Sequence, residues 1–135
     1  MLERLLLALL IAAAAVLAWR LYQRYSLRRL TTRTPADPAL ADVAPGTPVI
    51  VYFTTPFCAP CRTQQRPALD QIAAHFGMSV QIVQVDAAAD TETADRWGVL
   101  SAPTTFVLDA AHQPRYVNRG VADEATLREQ LAAIA

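Results

Sequence analysis

TTPFCAPCRT, Thr54 to Thr63, holds both cysteines of the chain, Cys58 and Cys61, two residues apart. Three chemistries fit such a pair: a redox centre, half of a metal site, or two small core residues near a turn. A bridge across so short a loop would lower unfolded-chain entropy little, so it would not exist for stability. A structural zinc site wants about four ligands. The other candidates, His75 and His112, are far apart in the chain, and His75 falls near the far end of the helix that starts at Cys58. Both histidines read as solvent-facing, and no metal is expected.

The flanking sequence favours the redox reading. VIVYF, residues 49–53, is a continuous β-branched and aromatic run, the pattern of a buried strand. Pro56 closes it. Residues 59–76 carry Leu69, Ile72, Ala73 and Phe76 at helical spacing, and Gly77 stops the helix. Cys58 therefore falls where a strand gives way to a helix. Unpaired N–H groups and the positive end of the helix dipole favour a thiolate there. Pro60 suits the first turn, where its missing N–H costs nothing. Cys61 follows one turn later and should be more buried and less ionised. An exposed Cys58 thiolate could attack a substrate disulfide, and Cys61 could then displace the substrate.

The rest of the chain is punctuated in the same way. VQIVQV (80–85) alternates as a second strand, and Asp90 caps a helix ending at Gly98. TTFVLD (104–109) and RYVNR (115–119) are two more strands, joined by a short polar turn with His112. Asp123 caps a last helix with Leu127, Leu131 and Ile134 on one face. The order βαβαββα makes the first two strands parallel through a helical crossover and the last two antiparallel. The expected fold is α/β, a mixed four-stranded sheet flanked by helices.

From about Val49 to Ile134 the chain resembles the thioredoxin family. FCAPCR is similar to that family's Trp-Cys-Gly-Pro-Cys-Lys signature, with Phe57, Ala59 and Arg62 substituted. SAPTTFVLD resembles its second hallmark, a cis proline opening the third strand, which here is Pro103. The resemblance implies that Pro103 faces the cysteines, that Ala102 pairs its backbone with substrate, and that Gly120 lines the substrate groove. It implies that Cys58 is the nucleophile and Cys61 the resolving cysteine, with Phe57, Ala59 and Pro60 tuning the centre.

Three departures stand out. The family usually has a buried Asp six residues before the nucleophile, where this chain has Tyr52. A tyrosine, with a reference pKa near 10, is a poor base at neutral pH. A lysine that often partners that acid aligns with Ile82, and the helix-kinking proline, Pro67, lies one residue later than usual. The family's extra N-terminal strand and helix are expected to be missing.

Ahead of this region, Leu5 to Trp19 is uncharged and apolar. Extended from Leu2 to Tyr22 it reaches about 31 Å, enough for a hydrocarbon core of roughly 30 Å. Arg4 and Arg20 would snorkel, and Trp19 and Tyr22 would lie at the interface. A cleavable signal peptide is the rival, with Val16-Leu17-Ala18 as its cleavage site. The arginines Arg20, Arg24, Arg28, Arg29 and Arg33 oppose translocation and place the following domain on the cytoplasmic side. Arg20, Arg24 and Arg28 would form one stripe on a continued helix, able to lie on anionic lipid. TRTPADPALADVAPGTP, with four prolines, reads as a linker in which Leu40 to Val43 could form a helical turn.

The expected organisation is a transmembrane anchor with a basic collar over 1–30, a linker over 31–47 and the redox domain over 48–135. Charge supports that division. Residues 34–135 carry six arginines against eleven acids, which excludes a nucleic-acid footprint on the domain. The expected function is thiol–disulfide exchange on protein disulfides, in the reducing direction, by a monomer fed by an unidentified upstream redox partner. No cofactor is expected beyond the cysteine pair. The alternative is a redox-inert adaptor that uses the same groove to tether a partner at the membrane.

Overall fold

The structure, a computed structural model, describes residues 1–31 and 37–135, the side chains of 27–31 excepted. Residues 32–36, the first part of the expected linker together with Arg33, lie outside the described residues. Helix α1 (Leu2–Thr31) opens the chain. Its apolar portion, Leu2–Ser26, has a mean hydropathy of 2.2 and none of it is buried in the protein. It is the one helix among the described residues long and apolar enough to cross a membrane, and a signal sequence would have the same character. The helix does not stop at Tyr22, so the backbone carries Arg20, Arg24 and Arg28 at one-turn intervals.

Four strands follow: β1 (Val49–Thr54), β2 (Gln81–Asp86), β3 (Thr104–Leu108) and β4 (Pro114–Arg119). They form one sheet in the order β2-β1-β3-β4. β1 runs parallel to β2 and antiparallel to β3, and β3 runs antiparallel to β4. β1 lies in the middle, so its two faces meet two cores, which is why it reads as an unbroken apolar run. Ile50 and Tyr52 face the core made with α2 (Arg66–Phe76) and α4 (Glu124–Ile134). Val49, Val51 and Phe53 face the core closed by α3 (Thr91–Arg96) and Trp97. In that second core Phe53, Phe106 and Trp97 meet edge-on or tilted, with ring centroids 4.9 to 5.8 Å apart.

The helix caps are those the sequence announces. Asp90 accepts the Thr93 N–H at 3.1 Å and Asp123 accepts the Thr126 N–H at 2.8 Å. Gly98, at φ +67°, ends α3: its N–H reaches the Asp95 carbonyl and the Val99 N–H reaches Ala94. This pairing satisfies two otherwise orphaned carbonyls and needs the left-handed conformation glycine adopts freely.

Several expectations are corrected. Ala73, placed with the apolar face of α2, is exposed. His112, read as solvent-facing, sits at φ +60° in the β3–β4 turn, is half-buried, and its Nε2 is enclosed without a hydrogen-bond partner. The stretch expected as linker is not all peripheral. Leu40 is 5% exposed and belongs to the second core, with Val43 packed against it. Asp37 caps the short turn Pro38–Leu40 through the Ala39 N–H at 2.9 Å and takes Arg96 of α3 in a two-pronged ion pair. The apolar side chain and the charge pair together fasten residues 37–43 to the domain.

Candidate active site

The site is built where β1 ends. Thr55 to Cys58 form a turn, closed by the Cys58 N–H on the Thr55 carbonyl at 3.2 Å. The helix begins at once, and Cys58 and Cys61 are joined as a disulfide with their Cα atoms 5.3 Å apart. The Cys61 N–H points at Cys58 Sγ from 3.2 Å. This is one of the unpaired amides that a helix start leaves over, and it can stabilise negative charge on that sulfur. Cys58 is 8% exposed and Cys61 1%. The expected order of exposure holds, but Cys58 is mostly covered rather than exposed, because the surrounding loops close around it. Pro60 stands in the first turn, just ahead of Cys61.

The helix after Cys61 is not regular. Residues Cys61–Gln65 form a π-type turn, in which the Arg66 N–H bonds to the Cys61 carbonyl five residues back. A single π-type turn absorbs one extra residue. Pro67 comes directly after it, one position later than the family pattern places its proline, and the wide turn is where that residue is taken up. The Tyr52 hydroxyl donates to the same Cys61 carbonyl at 3.3 Å. Tyr52 is thus beside Cys61 as its sequence position implies, and it acts as a donor to backbone.

The Ala102–Pro103 peptide bond is cis, and Pro103 is buried. Ala102 packs against the cluster that contains both cysteines. The Gly120 N–H bonds to the Pro103 carbonyl at 2.9 Å, so the loop after β4 is tied to the loop before β3. Gly120 sits at φ +97°, which disfavours any other residue there. Fold and hydrogen bonds therefore gather Cys58, Cys61, Tyr52, Ala102, Pro103 and Gly120. Phe57 and Ala59 border the disulfide by chain position, Phe57 at 93% exposure.

Two exposed apolar side chains went unnoticed in the sequence. Leu100, in the loop before Pro103, is 92% exposed and Val121, after Gly120, is 41% exposed. With Phe57 they place one exposed apolar side chain on each of the three loops that form the site. A cavity of about 230 Å³ lies beside the Pro103 loop, lined by Thr55, Ala88, Leu100 and Ala102 among others. Among the described residues the buried polar ones are Gln65, Thr93, Thr104 and Thr105, none of them charged. Among the described residues no three His, Cys, Asp or Glu side chains gather as metal ligands.

Gln65 was also missed. It is fully buried, and its side-chain amide exchanges two hydrogen bonds with the backbone of Ala122, at 2.8 and 3.0 Å. The signal was present: Gln65 lies four residues after Cys61 and four before Leu69, on a face that is otherwise apolar.

A family model described as Thioredoxin matches residues 37–133. The thioredoxin of Bacillus subtilis is 37% identical over 60 residues, 44% of this chain and 57% of that protein, so this chain spans just over half of that relative. A thioredoxin-like protein of Synechocystis is 33% identical over 84 residues, 62% of this chain and 78% of that one. Among solved structures, Fasciola hepatica thioredoxin superposes with a TM-score of 0.59 at 25% identity, covering 67% of this chain and 84% of that one. Chloroplastic thioredoxin z superposes with a TM-score of 0.61 at 23% identity, covering 66% and 79%, a likeness of fold.

Proposed function

The chain belongs to the thioredoxin family, and from that premise we propose that it is a membrane-anchored thiol–disulfide oxidoreductase that reduces protein disulfides through Cys58 and Cys61. The observation that carries the proposal is the cysteine pair at a helix start, with Cys61 N–H on Cys58 Sγ and the Pro103 loop packed against the same cluster.

In the reduced protein Cys58 is the attacking thiolate. It bonds to one sulfur of the substrate disulfide; that S–S bond breaks, and the other substrate sulfur leaves as a thiolate that takes a proton from water. Cys61 then loses its proton and attacks Cys58 Sγ. The Cys58–Cys61 bond forms, and the second substrate sulfur leaves. The substrate gains two electrons and the chain loses two, to be restored by an upstream thiol donor. Ala102 offers backbone to an extended substrate segment, Pro103 and Gly120 shape the groove, and Phe57, Ala59 and Pro60 set the environment of Cys58. The apolar side chains of Phe57, Leu100 and Val121 suit a substrate with apolar residues near its cysteine.

Residues 1–30 serve as the anchor and 31–47 as the connecting segment, of which 37–43 pack on the redox domain of 48–135, on the cytoplasmic side by arginine distribution. The test is trapping. Full-length Cys61→Ser protein should accumulate mixed disulfides with membrane-adjacent clients, and Cys58→Ser should accumulate none. Failure of Cys61→Ser to trap anything would favour the adaptor reading.

A further inference from the structure

Gln65 is a fully buried amide on the helix that carries the cysteines, whose other buried residues are Cys61, Ala68, Leu69 and Ile72. Burying an amide unpaired costs several times what a good hydrogen bond returns, so its partners deserve explanation. Both are on one residue. The Ala122 N–H donates to Gln65 Oε1 at 2.8 Å, and Gln65 Nε2 donates to the Ala122 carbonyl at 3.0 Å. The pairing fixes the amide orientation, since a flipped amide would oppose donor to donor. It spans 57 residues of sequence and ties the turn Cys61–Gln65 to the loop that leaves β4.

That loop is held at two points. Gly120 N–H bonds to the Pro103 carbonyl at 2.9 Å, and Ala122 is held by Gln65. Between them stands Val121, 41% exposed. The chain of contacts runs from Cys61 along the helix to Gln65, across to Ala122, back through Val121 to Gly120, and on to Pro103 and Ala102. This path of covalent and hydrogen bonds ends at Ala102, which packs against the cluster that contains the disulfide.

We propose that Gln65 is a positioning residue for protein substrates: it holds the Gly120–Ala122 loop at the height where a disulfide-bearing segment docks between that loop and Ala102. This rests on the exchange activity proposed above. Gln65 touches neither sulfur in this role. Its loss should impair docking of a protein and spare the intrinsic reactivity of Cys58.

The experiment uses full-length protein in detergent micelles, with insulin as the protein disulfide and hydroxyethyl disulfide as the small one. Gln65→Leu keeps the volume and removes both hydrogen bonds. Its kcat/KM for insulin should fall about tenfold, the scale of two lost net hydrogen bonds, with the change in KM. Its rate with hydroxyethyl disulfide should stay within about twofold of wild type, and the Ala122 amide should exchange its hydrogen faster. Gln65→Glu, which keeps the acceptor for the Ala122 N–H, should lie between the two and serves alone if the leucine variant does not fold. Ile72→Val, which loosens the same helix but leaves the tie intact, should not raise KM. Equal losses on both substrates, or no loss on insulin, would overturn the assignment. If wild type reacts with neither disulfide, it is the exchange activity itself that fails.

Discussion

The Tyr52 hydroxyl donates a hydrogen bond to the Cys61 carbonyl at 3.3 Å. The residue at the position of the family's buried acid therefore acts as a donor to the backbone of Cys61. None of the buried polar residues among those described, Gln65, Thr93, Thr104 and Thr105, carries a charge that could take the Cys61 proton. In the exchange proposed above, the proton of Cys61 is expected to go to water or to a substrate group, and resolution of the mixed disulfide should be slow. Tyr52→Phe removes one hydrogen bond, costs about 0.5–1.5 kcal/mol of stability, and leaves the resolution rate within about twofold. Tyr52→Asp installs a carboxyl whose pKa burial would raise toward neutrality, where a base is best matched. It should speed decay of the mixed disulfide at least about tenfold and lower stability by about 3–5 kcal/mol, the scale of removing a buried aromatic ring. Rapid-mixing decay of a preformed mixed disulfide separates the two variants; an unchanged rate in Tyr52→Asp would sink the argument.

Cys58 in the reduced protein should titrate below the free thiol value of about 8.5. The helix start and the Cys61 N–H, 3.2 Å from Cys58 Sγ, both favour its thiolate. Cys61, with 1% exposure in an apolar cluster, should titrate above it. Ultraviolet thiolate absorbance of Cys61→Ser and Cys58→Ser proteins against pH reads each sulfur alone. The assignment of nucleophile and resolver is wrong if the order of the two is reversed.

Much of this was legible in the residues because it depends on local rules. VIVYF announced the central strand by being apolar at every position, and Asp90, Asp123 and Gly98 announced their helix ends. Cys58 and Pro103 marked the site by motif. What was not legible depends on pairs far apart in sequence. Nothing near Gln65 names Ala122 as its partner, and nothing in a proline-rich stretch says that Asp37 meets Arg96. Cys58 looked exposed because a helix start usually is; its cover comes from loops supplied by other parts of the chain. The π-type turn was half visible, since the displaced Pro67 required an extra residue to be absorbed without saying where.

The fastening of residues 37–43 to the domain should respond to acid. Asp37 has a side chain only 8% exposed. Burial pushes its carboxyl up, but the Arg96 guanidinium and the Ala39 N–H outweigh that and hold it below the ordinary carboxylate value. A lowered folded pKa means that the contribution is fully present above the unfolded value, roughly 3.9, and is lost as pH falls through the folded one. Residues 37–43 should loosen in that acidic window, before the sheet does. At neutral pH Asp37→Ala should cost about 1–2 kcal/mol, from the cap and the partly screened ion pair together. Chemical denaturation against pH tests this: the gap between the two proteins should narrow as pH falls through the lowered Asp37 value, and a constant gap would contradict it.

Phe57 tests what the apolar collar is for. It is 93% exposed beside Cys58, so its side chain contributes almost nothing to the core. Replacing an exposed side chain usually changes stability by less than about 0.5 kcal/mol. An aromatic group left in water next to a reactive sulfur makes physical sense if it is covered when substrate docks, as interface aromatics are. Phe57→Ala should therefore leave the denaturation midpoint unchanged and raise KM for insulin about three- to tenfold, the scale of one buried aromatic anchor of roughly 1 kcal/mol. The effect should repeat, more weakly, in Leu100→Ala, which stands across the site in the loop before Pro103 and is 92% exposed. Reaction of both variants with hydroxyethyl disulfide should match wild type, because that reagent is too small to span the loops. A loss of small-disulfide rate in Phe57→Ala would instead mean that the ring sets the reactivity of Cys58 and not the fit of the substrate.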